Sequence, residues 1–270
     1  MPSFFISSPS FSFPIIIRIF AALFAKRFFM DKKFFLLFSI ITVTLLLAIS
    51  GCHKDNEDTD VVSGTINGHD YVDLGLPSGT KWATCNIGAT TPEGYGDYFA
   101  WGETNAKVTY NWETYEYYDS SIVQYNISDK KLNKYNDSDN LIVLETRDDV
   151  ATVCWGANWR MPTQDELKEL KNNCIVTNTM RNGVNGLLFT GSNGNSIFLP
   201  AAGYRNDSDV NGIDFALVAG YFGSYWSSSL FTDDQYCSWR LSFDYSAPDC
   251  YVTTYLRYSG FSVRPVCDSH

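Results

Sequence analysis

Two alternating runs near the end of the chain constrain its fold most. Cys237-Ser238-Trp239-Arg240-Leu241-Ser242-Phe243 switches between apolar and polar at every step, and a β-strand sends successive side chains to opposite faces. That parity places Cys237, Trp239, Leu241 and Phe243 inward, and Ser238, Arg240 and Ser242 outward. Cys250 to Leu256 repeats the pattern, with Cys250, Val252 and Leu256 on one face and Tyr251, Thr253 and Tyr255 on the other. Between the runs, Asp244 to Asp249 ends in Ala247-Pro248-Asp249, a turn composition. The outward set is rich in Tyr, Ser, Thr and Asp and poor in Lys. Tyrosine offers a large rigid contact at low entropy cost, and small polar groups adapt their hydrogen bonds, so this is the composition of a binding surface. A plain solvated sheet edge is the competing reading, because tyrosine suits strands in any case.

The first 51 residues stand apart from the folded region. Met30-Asp31-Lys32-Lys33, the apolar run Phe34 to Ile49 and then Ser50-Gly51-Cys52 have the charged head, apolar stretch and small-residue cleavage site of a secretory signal. Ending at a cysteine, the segment resembles a bacterial lipoprotein signal. The resemblance implies that Cys52 is lipidated through a thioether and leads the mature protein. Residues 1–29 form a second apolar stretch, interrupted by Pro14, Arg18 and Lys26-Arg27, which suits a spanning helix poorly. They read as an upstream extension, with Met30 as the start. Residues 52–67, opening His-Lys-Asp-Asn-Glu-Asp-Thr-Asp, read as a disordered acidic tether. The Lys and acids behind Cys52 resemble the signal that sends Bacteroidetes lipoproteins to the cell surface. The expected location is therefore the outer membrane, lipid-anchored and exposed outside.

Without residues 1–51 the chain keeps 15 basic and 29 acidic residues, a net charge of −14. Nucleic acid is excluded as a partner, since phosphate binding needs a basic face. Six cysteines remain besides Cys52: Cys85, Cys154, Cys174, Cys237, Cys250 and Cys267. An even number in an exported protein suggests disulfides, while free buried thiols are equally compatible with a domain of about 200 residues. No C-x-x-C occurs, so zinc-site spacing is absent.

Within residues 68–267 the pattern is mixed. Tyr71 to Leu76 and Lys81 to Cys85 read as strands around Pro-Ser-Gly. Residues 103–147, Tyr- and Asn-rich without periodicity, read as a long surface insertion. Asp148-Asp149 opens a short helix with Val150, Ala151, Val153 and Cys154 along one side and Gly156 as its stop. Thr163 and Glu166 form a capping box for a second helix, with Leu167 and Leu170 as its apolar face. Leu187 to Thr190 and Ser196 to Pro200 make a hairpin around Asn-Gly. Two short helices and a loop-rich, mainly antiparallel region indicate an α+β class.

The segments YVDLGLPSGTKWATCNIGA, YGDYFAWGET, CWGANWRMPTQDELKEL, GNSIFLPAAGYR, YWSSS and GFSVRPV together resemble the Fibrobacter succinogenes major paralogous domain of Bacteroidetes lipoproteins. More distantly, RMPTQDE and GFSVRPV are similar to signatures of formylglycine-generating enzymes, which implies a C-type-lectin-like fold. The last segment also resembles the variable region of diversity-generating retroelement proteins, where such a fold presents altered side chains to ligands.

The chemistry of those relatives does not carry over. A formylglycine-generating enzyme needs closely spaced cysteines, but Cys237 and Cys250 are separated by twelve residues and face inward. The EPN, QPD and WND triplets of calcium-dependent lectins are missing. Asp207, Asp209, Asn211, Gly212 and Asp214 resemble the front of a calcium loop, but Val218 stands at the closing position, and the stretch reads as a turn. His53, His69 and His270 leave no buried base beside a Ser or Cys. The expectation is a non-catalytic surface module without metal or cofactor that recognises a protein or glycan. The expected ligand-binding residues are Asp233, Asp234, Tyr236, Arg240, Ser242, Asp244, Tyr251, Thr253, Tyr255 and Tyr258. A structural or adhesin-tip subunit, and an enzyme of unknown reaction, are the alternatives.

Overall fold

The structure is a computed structural model that describes residues 61–119, 131–206, 218–247 and 249–268. The lipoprotein signal, Cys52 and the Asp207 to Asp214 loop lie outside the described residues. Among those described, two helices form, α1 (Val150–Trp155) and α2 (Gln164–Asn173), and both start at side-chain caps. Asp149 accepts from the backbone N–H of Ala151 at 2.9 Å and of Thr152 at 3.1 Å, and Gly156, at φ 94°, ends α1. The inward side of α1 differs from expectation. Val150, Ala151 and Trp155 are buried, while Val153 and Cys154 face solvent. Ala151 and Trp155, four apart, form the row that meets the core, and the Trp155 ring stacks on His69 at 3.7 Å.

The expected capping box at α2 is present in both directions. Thr163 Oγ1 accepts from Glu166 N at 3.3 Å, and Thr163 N donates to Glu166 at 2.8 Å. Arg160 adds a two-pronged pair to the same carboxylate at 2.6 and 2.7 Å. Leu167 and Leu170 are buried, as their spacing requires.

Among the described residues, three small antiparallel sheets complete an α+β fold. The first runs β1 (Gly64–Ile66), β2 (His69–Val72), β3 (Lys81–Ala83) and β10 (Val266–Cys267) in spatial order, so the two ends of the domain share a sheet. Strand β1 corrects the boundary of the tether, which was expected to reach residue 67. Asn67-Gly68, both at positive φ, make a two-residue turn that pairs Ile66 with His69. The second sheet is β4 (Ile175–Arg181), β5 (Val184–Thr190) and β6 (Ser196–Pro200). The β5–β6 hairpin is the expected one. Strand β4 was not expected, and a second Asn-Gly pair, Asn182-Gly183, joins it to β5. The third sheet is β7 (Phe222–Leu230), β8 (Cys237–Asp244) and β9 (Cys250–Leu256), and it carries the alternating runs.

Successive residues of β7 point into two different cores. Tyr225 stacks near Phe243 and belongs to the core of Leu241, Leu167, Leu170 and Phe189, whereas Trp226 lies against Phe261 in the core that holds Trp101, Tyr135 and Trp159. The second, aromatic core corrects the reading of residues 103–147 as a surface insertion. Tyr110, Trp112, Tyr115, Tyr117, Tyr135 and Leu144 from that stretch are buried. Tyr115, Tyr117 and Tyr135 surround Arg257, fully buried, whose guanidinium donates to Tyr115 Oη at 2.9 Å and to the carbonyls of Tyr135 (2.9 Å), Gln235 (3.0 Å) and Lys134 (3.2 Å). The face of Trp101 lies 4.8 Å from the same group. Arg264, also buried, is held by Asn86 and by the carbonyls of Ala83, Thr84 and Phe198.

Candidate functional site

Pairing across the third sheet decides which side chains share a face. Trp226 is opposite Arg240 and Ser224 opposite Ser242; Arg240 is opposite Thr253, Ser242 opposite Tyr251, and Ser238 opposite Tyr255. Opposed residues in an antiparallel ladder point the same way. Phe222, Ser224, Arg240, Ser242, Asp244, Tyr251, Thr253 and Tyr255 therefore lie on one face, and Tyr225, Leu241, Phe243, Cys250 and Val252 on the other. The parity expected for both runs holds.

Exposure follows parity only in part, because the sheet is covered on both sides. Ser238, expected outward, is fully buried, since the aromatic core closes over that end of the face. Trp239, expected in the core, is half-buried, with Phe231 edge-on at 5.2 Å and Lys168 over its ring at 5.7 Å. Cys237 is likewise only half-buried. Arg240, expected to be free in solvent, is tucked under rings. Its guanidinium lies 4.5 Å from the Tyr255 ring centre and 4.9 Å from that of Phe261.

Around Arg240 the face opens into a cavity of about 220 Å³, lined by Tyr204, Val218, Phe222, Ser224, Ser242 and Tyr255. Strands β7 and β8 supply Ser224 and Arg240, and the segment after β6 supplies Tyr204. One hydrogen bond holds the guanidinium, from Nη1 to Ser224 Oγ at 2.6 Å. Among the described residues its Nε–H is buried without an acceptor and it forms no ion pair. Burial pushes the Arg240 pKa down to about 10, with the ionisable hydroxyls of Tyr255 and Tyr204 opposing the shift. At neutral pH it remains a cation. Arg257 and Arg264 spend their donors on carbonyls and on Tyr or Asn side chains, whereas Arg240 makes one hydrogen bond among the described residues. An anion entering this cavity meets a largely desolvated cation that has no counter-charge among the described residues.

The expected site residues fall into three groups. Arg240, Ser242, Asp244, Tyr251, Thr253 and Tyr255 share the face just described, and Arg240, Ser242 and Tyr255 line the cavity. Tyr251 is the exposed one, with Lys171 5.2 Å from its ring centre. Asp233, Asp234 and Tyr236 lie in the β7–β8 turn, away from the cavity lining. Asp234 there accepts from Tyr236 N at 3.0 Å, and the Tyr236 ring packs edge-on against Trp112 at 5.8 Å. Tyr258 is a correction. It is buried in the aromatic core, 4.9 Å from Trp112, and presents no surface to a ligand. The additional cavity residues are Tyr204, Val218, Phe222 and Ser224. Pairing the YWSSS strand with the run at Cys237 would have brought out Ser224; nothing local marks Tyr204.

A larger cavity, about 540 Å³, lies between Tyr98, Lys107, Tyr110 and Arg205, but its polar groups are engaged. Lys107 pairs with Glu103 at 2.7 Å, and the Tyr98 and Tyr110 hydroxyls donate to the carbonyls of Ala202 and Tyr98. Among the described residues no three His, Cys, Asp or Glu side chains gather as a metal site would require. The six described cysteines are free, and burial raises Cys237 to about 12 and Cys174, Cys250 and Cys267 to about 11, so these four are thiols at neutral pH. The chain matches no protein-family model, no curated protein and no solved structure.

Proposed function

We propose that the protein is a non-catalytic binding module displayed on the cell surface, held to the outer membrane by lipid on Cys52, which recognises a protein or glycan through the Arg240 face. The domain is read as C-type-lectin-like, of the Fibrobacter succinogenes major paralogous type, on the motifs quoted above. The single observation that supports the binding reading most is Arg240 itself, a half-buried arginine at a cavity with one hydrogen bond and no ion pair among the described residues. Burying a cation without a partner is costly, and a structural role alone would favour the full satisfaction seen at Arg257. Rigid tyrosines and small hydroxyls beside it supply contact area and adaptable hydrogen bonds.

Glycan and protein arrays probed with the full-length protein in detergent test this reading. Wild type should bind a defined set of features, and the Arg240→Met protein should lose most of them. Binding profiles that are the same for both proteins would contradict it.

A further inference from the structure

We infer that the Arg240 cavity takes one carboxylate carried on a sugar-sized ring, an acidic monosaccharide unit. This deepens the binding reading and rests on it. The charge requirement comes from Arg240: Ser224 accepts from Nη1 at 2.6 Å, and among the described residues Nε–H is buried with no acceptor and no acidic side chain lines the cavity. A carboxylate is the planar two-oxygen acceptor that a guanidinium fork matches.

The walls argue for a ring rather than a chain. Tyr204 and Tyr255 stand with ring centres 6.2 Å apart at 58° to one another, and Phe222 adds a third apolar surface. The C–H faces of a pyranose suit such walls, and the Ser224 and Ser242 hydroxyls can exchange hydrogen bonds with ring hydroxyls. A volume of about 220 Å³ is below the usual range for drug-sized ligands, about 300–1,000 Å³, and suits a single ring.

Charge elsewhere argues against a polyanion and against a zwitterion. Residues 52–270 carry a net charge of −14, which repels a chain of many negative groups but leaves a single carboxylate free to reach a local cation. A free amino acid would bring an ammonium group into a cavity that has a cation and, among the described residues, no carboxylate to receive it.

Isothermal titration of the full-length protein in detergent with D-glucuronate, D-galacturonate and N-acetylneuraminate, beside D-glucose and D-glucuronamide, tests the inference. At least one acid should bind, and replacing glucuronate by its amide, or Arg240 by Met, should weaken that binding about tenfold or more, the scale of a charge-assisted hydrogen bond. The comparison of acid with amide uses the wild type, so it remains decisive if Arg240→Met fails to fold. No binding by any acid, equal binding of acid and amide, or undiminished binding to a folded Arg240→Met protein would overturn the inference. So would binding of a tripeptide through its terminal carboxylate while the acidic sugars fail. Array hits on neutral glycans alone would also overturn it, yet leave the binding reading intact.

Discussion

The guanidinium of Arg240 lies 4.5 Å from the ring centre of Tyr255, a diagonal neighbour on the adjacent strand, with the ring face taking the place of a counter-ion. Such a contact is worth about 0.5–2 kcal/mol, less than the desolvation of an unpaired guanidinium. The cavity thus carries a cost in the unliganded protein. Its function would lie in what enters.

The first prediction sets two arginines against each other. Arg240→Met should leave stability unchanged or raise it, because it removes a desolvated cation that has one hydrogen bond. Arg257→Met should destabilise, by about 1–3 kcal/mol for each buried carbonyl it strands among those of Lys134, Tyr135 and Gln235. Denaturant unfolding of both proteins checks this; similar losses would show that Arg240 is structural.

The second concerns the start of α2. Thr163→Ala should cost about 1 kcal/mol, typical of a lost cap. Burial by itself would raise the Glu166 carboxyl, but Arg160 and the Thr163 backbone N–H and hydroxyl outweigh it and hold the group below its ordinary 4.5. A depressed carboxyl contributes stability above its unfolded pKa and loses it as pH falls through the folded one. Stability of the wild type should therefore decline below about pH 4.5 more steeply than that of Glu166→Gln. Parallel acid limbs would contradict the assignment.

A third prediction separates the two faces of β8. Phe243→Ala should cost about 3–5 kcal/mol, because the ring is 1% exposed. Trp239→Ala should cost clearly less, since that ring is half-buried. Gly223→Ala should also destabilise, as its new methyl would sit 2.1 Å from Phe243 Cζ. Thermal midpoints rank the three; Trp239→Ala as the most damaging would reverse the account of this strand.

Tyr251 supplies the fourth. It is 57% exposed, so Tyr251→Ala should move stability by no more than about 0.5 kcal/mol. A large drop in the thermal midpoint would mean that Tyr251 is part of the core.

What the sequence made legible was local. The Thr163–Glu166 box spans three residues, and the parity of β8 and β9 follows from period two, so both could be read without the fold. Burial was not local. Whether Ser238 or Arg240 meets solvent depends on Phe261 and Tyr204 arriving from elsewhere in the chain. In the aromatic stretch at 103–147, Tyr115, Tyr117 and Tyr135 follow no period because they are organised around Arg257, 142 residues beyond Tyr115. Strand β4 was hidden by a polar sequence, Val176-Thr177-Asn178-Thr179, although Asn182-Gly183 marked its turn.

The central claim is that Arg240 is the cation a ligand meets, and the three enclosed arginines allow a direct test. In an NMR titration with D-glucuronate, the Nε–Hε signal of Arg240 should shift and saturate, while those of Arg257 and Arg264, committed to Tyr115 and Asn86, should stay in place. An Arg240 signal that does not move, or that moves in step with the other two, would contradict the account.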